Sequence, residues 1–438
     1  MILITNLLLL FSIAAAVSPL HNKIVICNYE AKSHFWEGQG KFDVSFLEPA
    51  LQYCTHLVYG YAAIKEDTLK LVPLNEQFDV IKDNYRHVTD LKIKYPNLKV
   101  LLSVGGNDDV SGEGNEKNLK YREVLETASR RLAFINSAYM IVKAYGFDGI
   151  DLAWEFPETD PKKIKTGFKK FWSSVKSVFT SKSPIDENAE EHRNQFTALV
   201  RELKNSFKPD NLLVALTVLP NVNSTVYYSP RELAPHVDFV VLHAFDFYTP
   251  QRNPKLADFP SPLYELIDRR SDENVDAWVK YWLSNGFPQN KLVLGIPAYG
   301  RTWKLDEDAK VDSVPPEGLH GPGEPGPQTK DAGILSYPEI CTKIEKPQDW
   351  NPAAPNQFKK IPDSTKRRGS YAYKLPDETD GGGIWIGYED PESAANKATY
   401  VRNKGLAGVA IDDLTLDDFK GVCGPNKYAI LRAAVSAL

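Results

Sequence analysis

The residues best placed to do chemistry lie in Phe147–Pro157, which reads FDGIDLAWEFP. Asp148 and Gly149 make a turn-like lead-in, and the apolar run behind them carries carboxylates at Asp151 and Glu155. If Ile150–Phe156 is a strand, its side chains alternate, so Asp151, Ala153 and Glu155 share one face. Two acids and a small residue facing inward from a buried strand are costly unless they are paired or put to use. The use open to such a carboxyl is proton donation, which contributes about 10²–10⁴ in rate when well positioned.

A scaffold must hold that strand. Short apolar, β-rich runs recur at Lys23–Tyr29, Thr55–Ala62, Leu98–Val104, Gly149–Trp154, Leu212–Leu219, Phe239–Ala244, Lys291–Ile296 and Gly408–Ile411. Amphipathic stretches lie between them: Gln77–Lys94, Lys120–Tyr145 (long enough for two helices), Gln195–Ser206, Asp276–Asn285 and Pro391–Lys404. About eight strand–helix repeats predict an α/β fold, a parallel sheet closed into a (β/α)8 TIM barrel. Nearly continuous apolar strands such as KLVLGI and FVVLHA suit a sheet covered on both faces. Chemistry in such barrels sits at the C-terminal ends of strands, where the unusual residues of this chain gather.

The central stretch resembles the active-site motif DGxDxDxE of glycoside hydrolase family 18, the chitinases, with Asp148, Gly149, Asp151, Trp154, Glu155 and Pro157 in register. Ser103-Val104-Gly105-Gly106 is similar to that family's SxGG, and Pro297–Arg301 to its PxYGR. Gly387–Phe419 resembles its last helix and strand, so the likeness runs from about Lys23 to Leu438. The resemblance implies substrate-assisted cleavage, an exception to the two-carboxylate scheme. One Glu protonates the leaving oxygen, and the substrate's acetamido oxygen attacks. An aspartate two residues earlier orients the acetamido N–H, a strand-six tyrosine bonds the acetamido oxygen, and a strand-eight tryptophan floors the sugar pocket.

Carried over, the acid corresponds to Glu155, which is present, and the orienting aspartate to Ala153, which has no polar atom. The family's MxYD corresponds to His243-Ala244-Phe245-Asp246, where Phe245 lacks the hydroxyl and Asp246 is kept. The floor tryptophan corresponds to Asp412, and Asn107 stands where a tryptophan platform is usual. Each lost group aimed at the transition state costs about 10²–10³, although such losses are not additive. Catalytic residues are therefore expected to be none. Asp151 and Glu155 become hydrogen-bonded acids that stabilise the barrel, and Asp148 shapes the start of the strand. Tyr299, Arg301 and Asp246 line a polar pocket or pair with one another.

Other features bear on setting. A net charge of -5 gives no electrostatic case for nucleic acid. Residues 1–18 read as a secretory signal, with an apolar core at Leu7–Val17 that is too short to span a bilayer. No later stretch could span one. Four cysteines in an exported chain suggest disulfides with three possible connectivities. Proximity favours Cys27–Cys54 and Cys341–Cys423, the pairing that the resemblance also implies. No CxxC or His-rich spacing points to a metal, and no cofactor is implied. Asn223-Ser224-Thr225 is a glycosylation sequon.

The expected organisation is barrel over 19–300, a small α+β insertion domain over 301–383 between strands seven and eight, and barrel again over 384–438. A second insertion, about 160–190, is lysine-rich and reads as an amphipathic helix. Its basic face is either solvated or a contact surface for a receptor, acidic glycan or anionic membrane. The altered motif and this basic segment together resemble the imaginal disc growth factors of insects, secreted chitinase-like proteins. That resemblance implies an inactive barrel signalling outside the cell through a surface receptor or other extracellular partner. The rivals are a weak chitinase or N-acetylglucosaminidase using Glu155, and a lectin for chitin-like sugars stacking on Trp36, Trp303 or Trp385.

Overall fold

A computed structural model describes residues 23–112, 118–157, 186–220, 222–344, 357–376 and 382–438. The leader at 1–18 and nearly all of the basic segment at about 160–190 lie outside them. Eight parallel strands close into a barrel: β1 (Ile24–Glu30), β2 (His56–Ile64), β3 (Lys99–Gly105), β4 (Gly149–Ala153), β5 (Leu213–Val218), β6 (Phe239–Leu242), β7 (Leu292–Pro297) and β8 (Gly408–Asp412). β1 pairs with β8 on one side and β2 on the other, which closes the ring and removes its edges. Every residue of β4, β6, β7 and β8 is buried, as strands covered by helices outside and side chains inside should be.

The sequence also sets where helices stop and start. Lys120–Tyr145 does split in two, into Leu119–Glu126 and Ala128–Tyr145. Thr127 caps the second helix by accepting from the Arg130 amide, and Gly146, at φ 75°, ends it. Gln77–Lys94, expected as one amphipathic stretch, is instead three short pieces, Gln77–Ile81, Asn84–Thr89 and Leu91–Lys94. Asp83 sits between the first two in the left-handed region at φ 58°, which no helix can carry through.

The insertion domain is an antiparallel sheet in the order Glu317–Pro322, Tyr299–Lys310, Gly383–Tyr388, Ser370–Lys374, Lys359–Ile361, with Ile334–Ser336 on the long strand and helix Tyr337–Cys341 beside it. Its last strand carries it past the expected boundary at 383. Gly383–Tyr388 pairs in register with Gly300–Leu305, so both strands that join domain to barrel are neighbours. Trp303 and Trp385 form its core at 5.6 Å between ring centroids, with Tyr371 stacked on Trp385. Both tryptophans are fully buried, so neither offers the stacking face expected from the sequence.

The disulfides are Cys27–Cys54 and Cys341–Cys423, with Cα–Cα separations of 5.9 and 5.7 Å. The first ties β1 to the segment leading into β2. The second ties the insertion domain's helix to the chain beyond β8. No helix among the described residues is long and apolar enough to cross a membrane.

Candidate functional site

The acids of Phe147–Pro157 lie at different depths. Asp148 is at the N-terminal end of β4, where its carboxylate accepts from the Val100 amide and Lys92 Nζ, both at 2.9 Å. Gly149 follows because a Cβ there would meet the Leu213 carbonyl oxygen at 2.2 Å. Asp151 is buried inside the barrel and accepts from Ser103 Oγ at 2.7 Å and Thr217 Oγ1 at 3.0 Å. Burial pushes its carboxyl above the usual range, and those two hydroxyls only partly offset the effect. Ala153 closes the strand with a buried methyl group, beside a void of about 10 Å³ that Asp151, Ser103, Thr217 and His243 also line.

Glu155 lies beyond the strand end, at 3% exposure. Its Oε1 accepts from the Asn107 amide at 3.0 Å, and its Oε2 from Asn118 Nδ2. Asn118 in turn braces its own loop, its Oδ1 accepting from the Ser111 amide and its amide donating to the Ser111 carbonyl, both at 2.8 Å. The side chain that would donate a proton thus holds the loop after β3 in place. It is not among the residues that line the open cleft at the barrel mouth.

That cleft has about 260 Å³ of room and is formed at strand C-terminal ends. Phe245, at the end of β6, is buried, stacks on His243 at 4.8 Å and meets Tyr299 edge-on at 6.2 Å. Asp246 accepts from Tyr299 Oη at 2.8 Å and from Arg301 Nε and Nη2 at 2.8 and 2.5 Å. Burial alone would raise its carboxyl, but the Arg301 guanidinium and the Tyr299 hydroxyl hold it below the usual range. These three residues do both things expected of them: they line the cleft and they pair with one another. Asp412 ends β8, accepts from Asn28 Nδ2 at 2.9 Å and lies 3.9 Å from His243 Nδ1. Asn107 lines the cleft, as does the half-buried Trp36.

Five further charged cleft residues escaped the sequence reading: Glu30, Lys32, Asp108, Asp331 and Asp413. Lys32 Nζ lies between two of them, 2.7 Å from Glu30 and 2.9 Å from Asp108. Glu30 is raised well above the usual range by burial and by Asp413, Asp108 and Asp412, against the pull of Lys32. Asp413 is pushed up to about 7, by burial first and by Asp412 next. A signal for them existed in the sequence. Glu30 and Asp413 stand at the C-terminal ends of β1 and β8, the positions at which a barrel gathers its chemistry.

The arrangement gives a proton donor committed to a loop, a methyl group where a sugar amide would be steered, and a phenyl ring where a hydroxyl would be needed. Around them the mouth of the barrel is a polar, acidic cleft. Among the described residues no group of three metal-binding side chains comes together.

Residues 25–417 match the family described as Glycosyl hydrolases family 18, and the chain belongs to that family. Within it, the chain is 48% identical to Imaginal disk growth factor 6 of Drosophila melanogaster over 94% of its own length and 93% of the relative's. Among solved structures it is similar to the second catalytic domain of the Group II chitinase of Ostrinia furnacalis, at 29% identity, TM-score 0.77, and 95% and 97% coverage of the two chains. It is also similar to human YKL-39, described as a pseudo-chitinase with retained chitooligosaccharide binding properties, at 25% identity, TM-score 0.71, and 95% and 99% coverage. The chain thus stands with the chitinase-like imaginal disc growth factors, on a barrel shared by active and inactive members.

Proposed function

We propose that this protein is a secreted, non-hydrolytic member of family 18 that promotes cell growth by extracellular signalling through a surface receptor or another extracellular partner. The observation that carries the first half is the tethering of Glu155 to Asn107 and Asn118, next to Ala153. A donor without an oriented nucleophile leaves the reaction with neither attack nor a stabilised cation. Two disulfides suit an oxidising compartment and support export. The growth-factor half rests on the likeness to Imaginal disk growth factor 6. A glycan on Asn223 fits the same setting: the residue is half-exposed and caps the short helix Ser224–Tyr227.

The test has two arms. Purified protein incubated with a chromogenic chitin oligosaccharide should release no more product than its Glu155→Gln variant, and turnover well above that variant would overturn the non-hydrolytic reading. Added to cultured insect cells, wild type and Glu155→Gln should raise cell number equally. No response from either would overturn the growth-factor reading. A second reading, sugar binding without cleavage, is favoured by Trp36, which presents a partly exposed ring to the cleft.

A further inference from the structure

Six carboxylates (Glu30, Asp108, Asp246, Asp331, Asp412, Asp413) and two cations (Lys32, Arg301) line the cleft. Arg301 is matched to Asp246, and Lys32 to Glu30 and Asp108. Asp412 and Asp413 are left adjacent at the end of β8 with only the neutral Asn28 amide and the His243 ring close to the former. Asp413 is 1% exposed, yet its Oδ2 finds no hydrogen-bond partner among the described residues, and neither does Nε2 of His243, the ring beside Asp412. Buried carboxylate oxygens are paired as a rule, and Asp413 is among the residues that line the cleft.

We propose that this cleft binds an amino sugar carrying free ammonium groups, a glucosamine oligomer, in preference to its N-acetylated counterpart, with Asp412 and Asp413 receiving one ammonium. The sugar part of this assignment rests on the carbohydrate-binding reading above; the ammonium part rests on the cleft alone. An N-acetyl group needs an acceptor for its N–H and a donor for its carbonyl, and Ala153 and Phe245 supply neither. An ammonium needs what is present, a carboxylate pair at one wall for short charge-assisted bonds. A metal ion fits less well, since no trio of metal-binding side chains is assembled among the described residues. Trp36 and Tyr61 border the same space, and the partly exposed Trp36 is the one with an aromatic ring to offer the sugar.

The charges that act on Asp413 are Asp412 beside it and Lys32, and Asp413 acts in turn on Glu30 at the end of β1; Asp108 and His243 line the same cleft. Asp413 is held at about 7 by burial and by Asp412, so near neutrality it keeps much of its proton. An ammonium beside it favours the ionised form, so binding releases protons.

Calorimetric titration of the full secreted protein at pH 7 tests this, with the glucosamine tetramer and the tetra-N-acetyl tetramer as probes. The free-amine tetramer should bind at least tenfold more tightly. Titration in phosphate and Tris should differ by the heat of proton release. Asp412→Asn and Asp413→Asn should each lose at least tenfold in affinity for it, while Glu307→Gln, an exposed acid outside the cleft, should lose nothing. Equal or tighter binding of the acetylated tetramer, silence with the free-amine tetramer to millimolar concentration, or undiminished affinity in both aspartate variants would overturn the proposal. So would tetralysine binding as tightly as the sugar, which would mean that the ring is not read. The acetylation comparison uses the wild-type chain, so a poorly folding variant cannot obscure the result. Hydrolysis of the oligomer is scored by the separate assay above, so failure of either reading is recognisable.

Discussion

Replacing Asp413 by Asn should stabilise the protein at alkaline pH and do almost nothing in acid. Asn keeps the Oδ1 that accepts from the Thr415 amide and hydroxyl and from the Leu416 amide, so the local turn survives. What it removes is a charge forced into a buried site beside Asp412. The wild-type carboxyl is raised from 3.8 to about 7 in the fold. The folded state therefore binds more protons than the unfolded chain between those values, and stability falls as pH rises through that window. The stabilisation is complete below the unfolded pKa and is lost by the time the folded pKa has been passed. At about 1.4 kcal/mol per unit, the interval from pH 5 to about 7 is worth roughly 2–3 kcal/mol. The stability difference between Asp413→Asn and wild type should therefore grow by about that amount between pH 5 and pH 8, measured as urea unfolding midpoints at each pH. Other raised carboxyls, such as Asp417, slope in the same direction but cancel in the difference. Parallel pH profiles for the two proteins would refute the reasoning and remove the strained acid pair from the account of the cleft.

Ala153→Asp alone should stay within about tenfold of the Glu155→Gln background on a chromogenic chitin oligosaccharide, because Phe245 and Asp412 still withhold their groups; adding Phe245→Tyr and Asp412→Trp should restore about 10²-fold or more. Strong turnover in the single variant would show that the other two losses are misplaced. Asn118→Ala removes the brace between Glu155 and the Ser111 turn, and should cost about 1–3 kcal/mol in urea unfolding. Removing Cys341–Cys423, which closes 82 residues, should cost about 4–5 kcal/mol, against roughly 3–4 for Cys27–Cys54, which closes 27. Thermal unfolding of the two double-alanine variants ranks them.

The barrel was legible because each of its strands is a short apolar run that a two-sided sheet demands, and all eight fall where periodicity placed them. Helical periodicity was less informative at Gln77–Lys94, because apolar spacing continues across Asp83 while the backbone there turns left-handed. The tryptophans misled for a related reason. Trp303 and Trp385 sit on paired strands, Trp385 directly opposite Trp303, so each ring buries the other instead of facing a sugar. Composition cannot distinguish a stacking platform from a domain core; only cross-strand register can.

Within the site, what a missing atom removes was readable, and what a present atom is doing was not. Ala153 and Phe245 have no polar side-chain atom to offer in any geometry, and their identity alone tells that much. Glu155 is different, because a carboxylate serves a reaction or a loop depending on which donors surround it. Those donors, the Asn107 amide and the Asn118 side chain, come from the two ends of the loop after β3. No spacing rule links Asn118 to Glu155, since they meet only when β3 and β4 pair in register and carry the loop over the barrel mouth. A buried carboxylate must be paired whatever its chemical role. Loop donors satisfy that requirement at Glu155, beside an alanine at position 153.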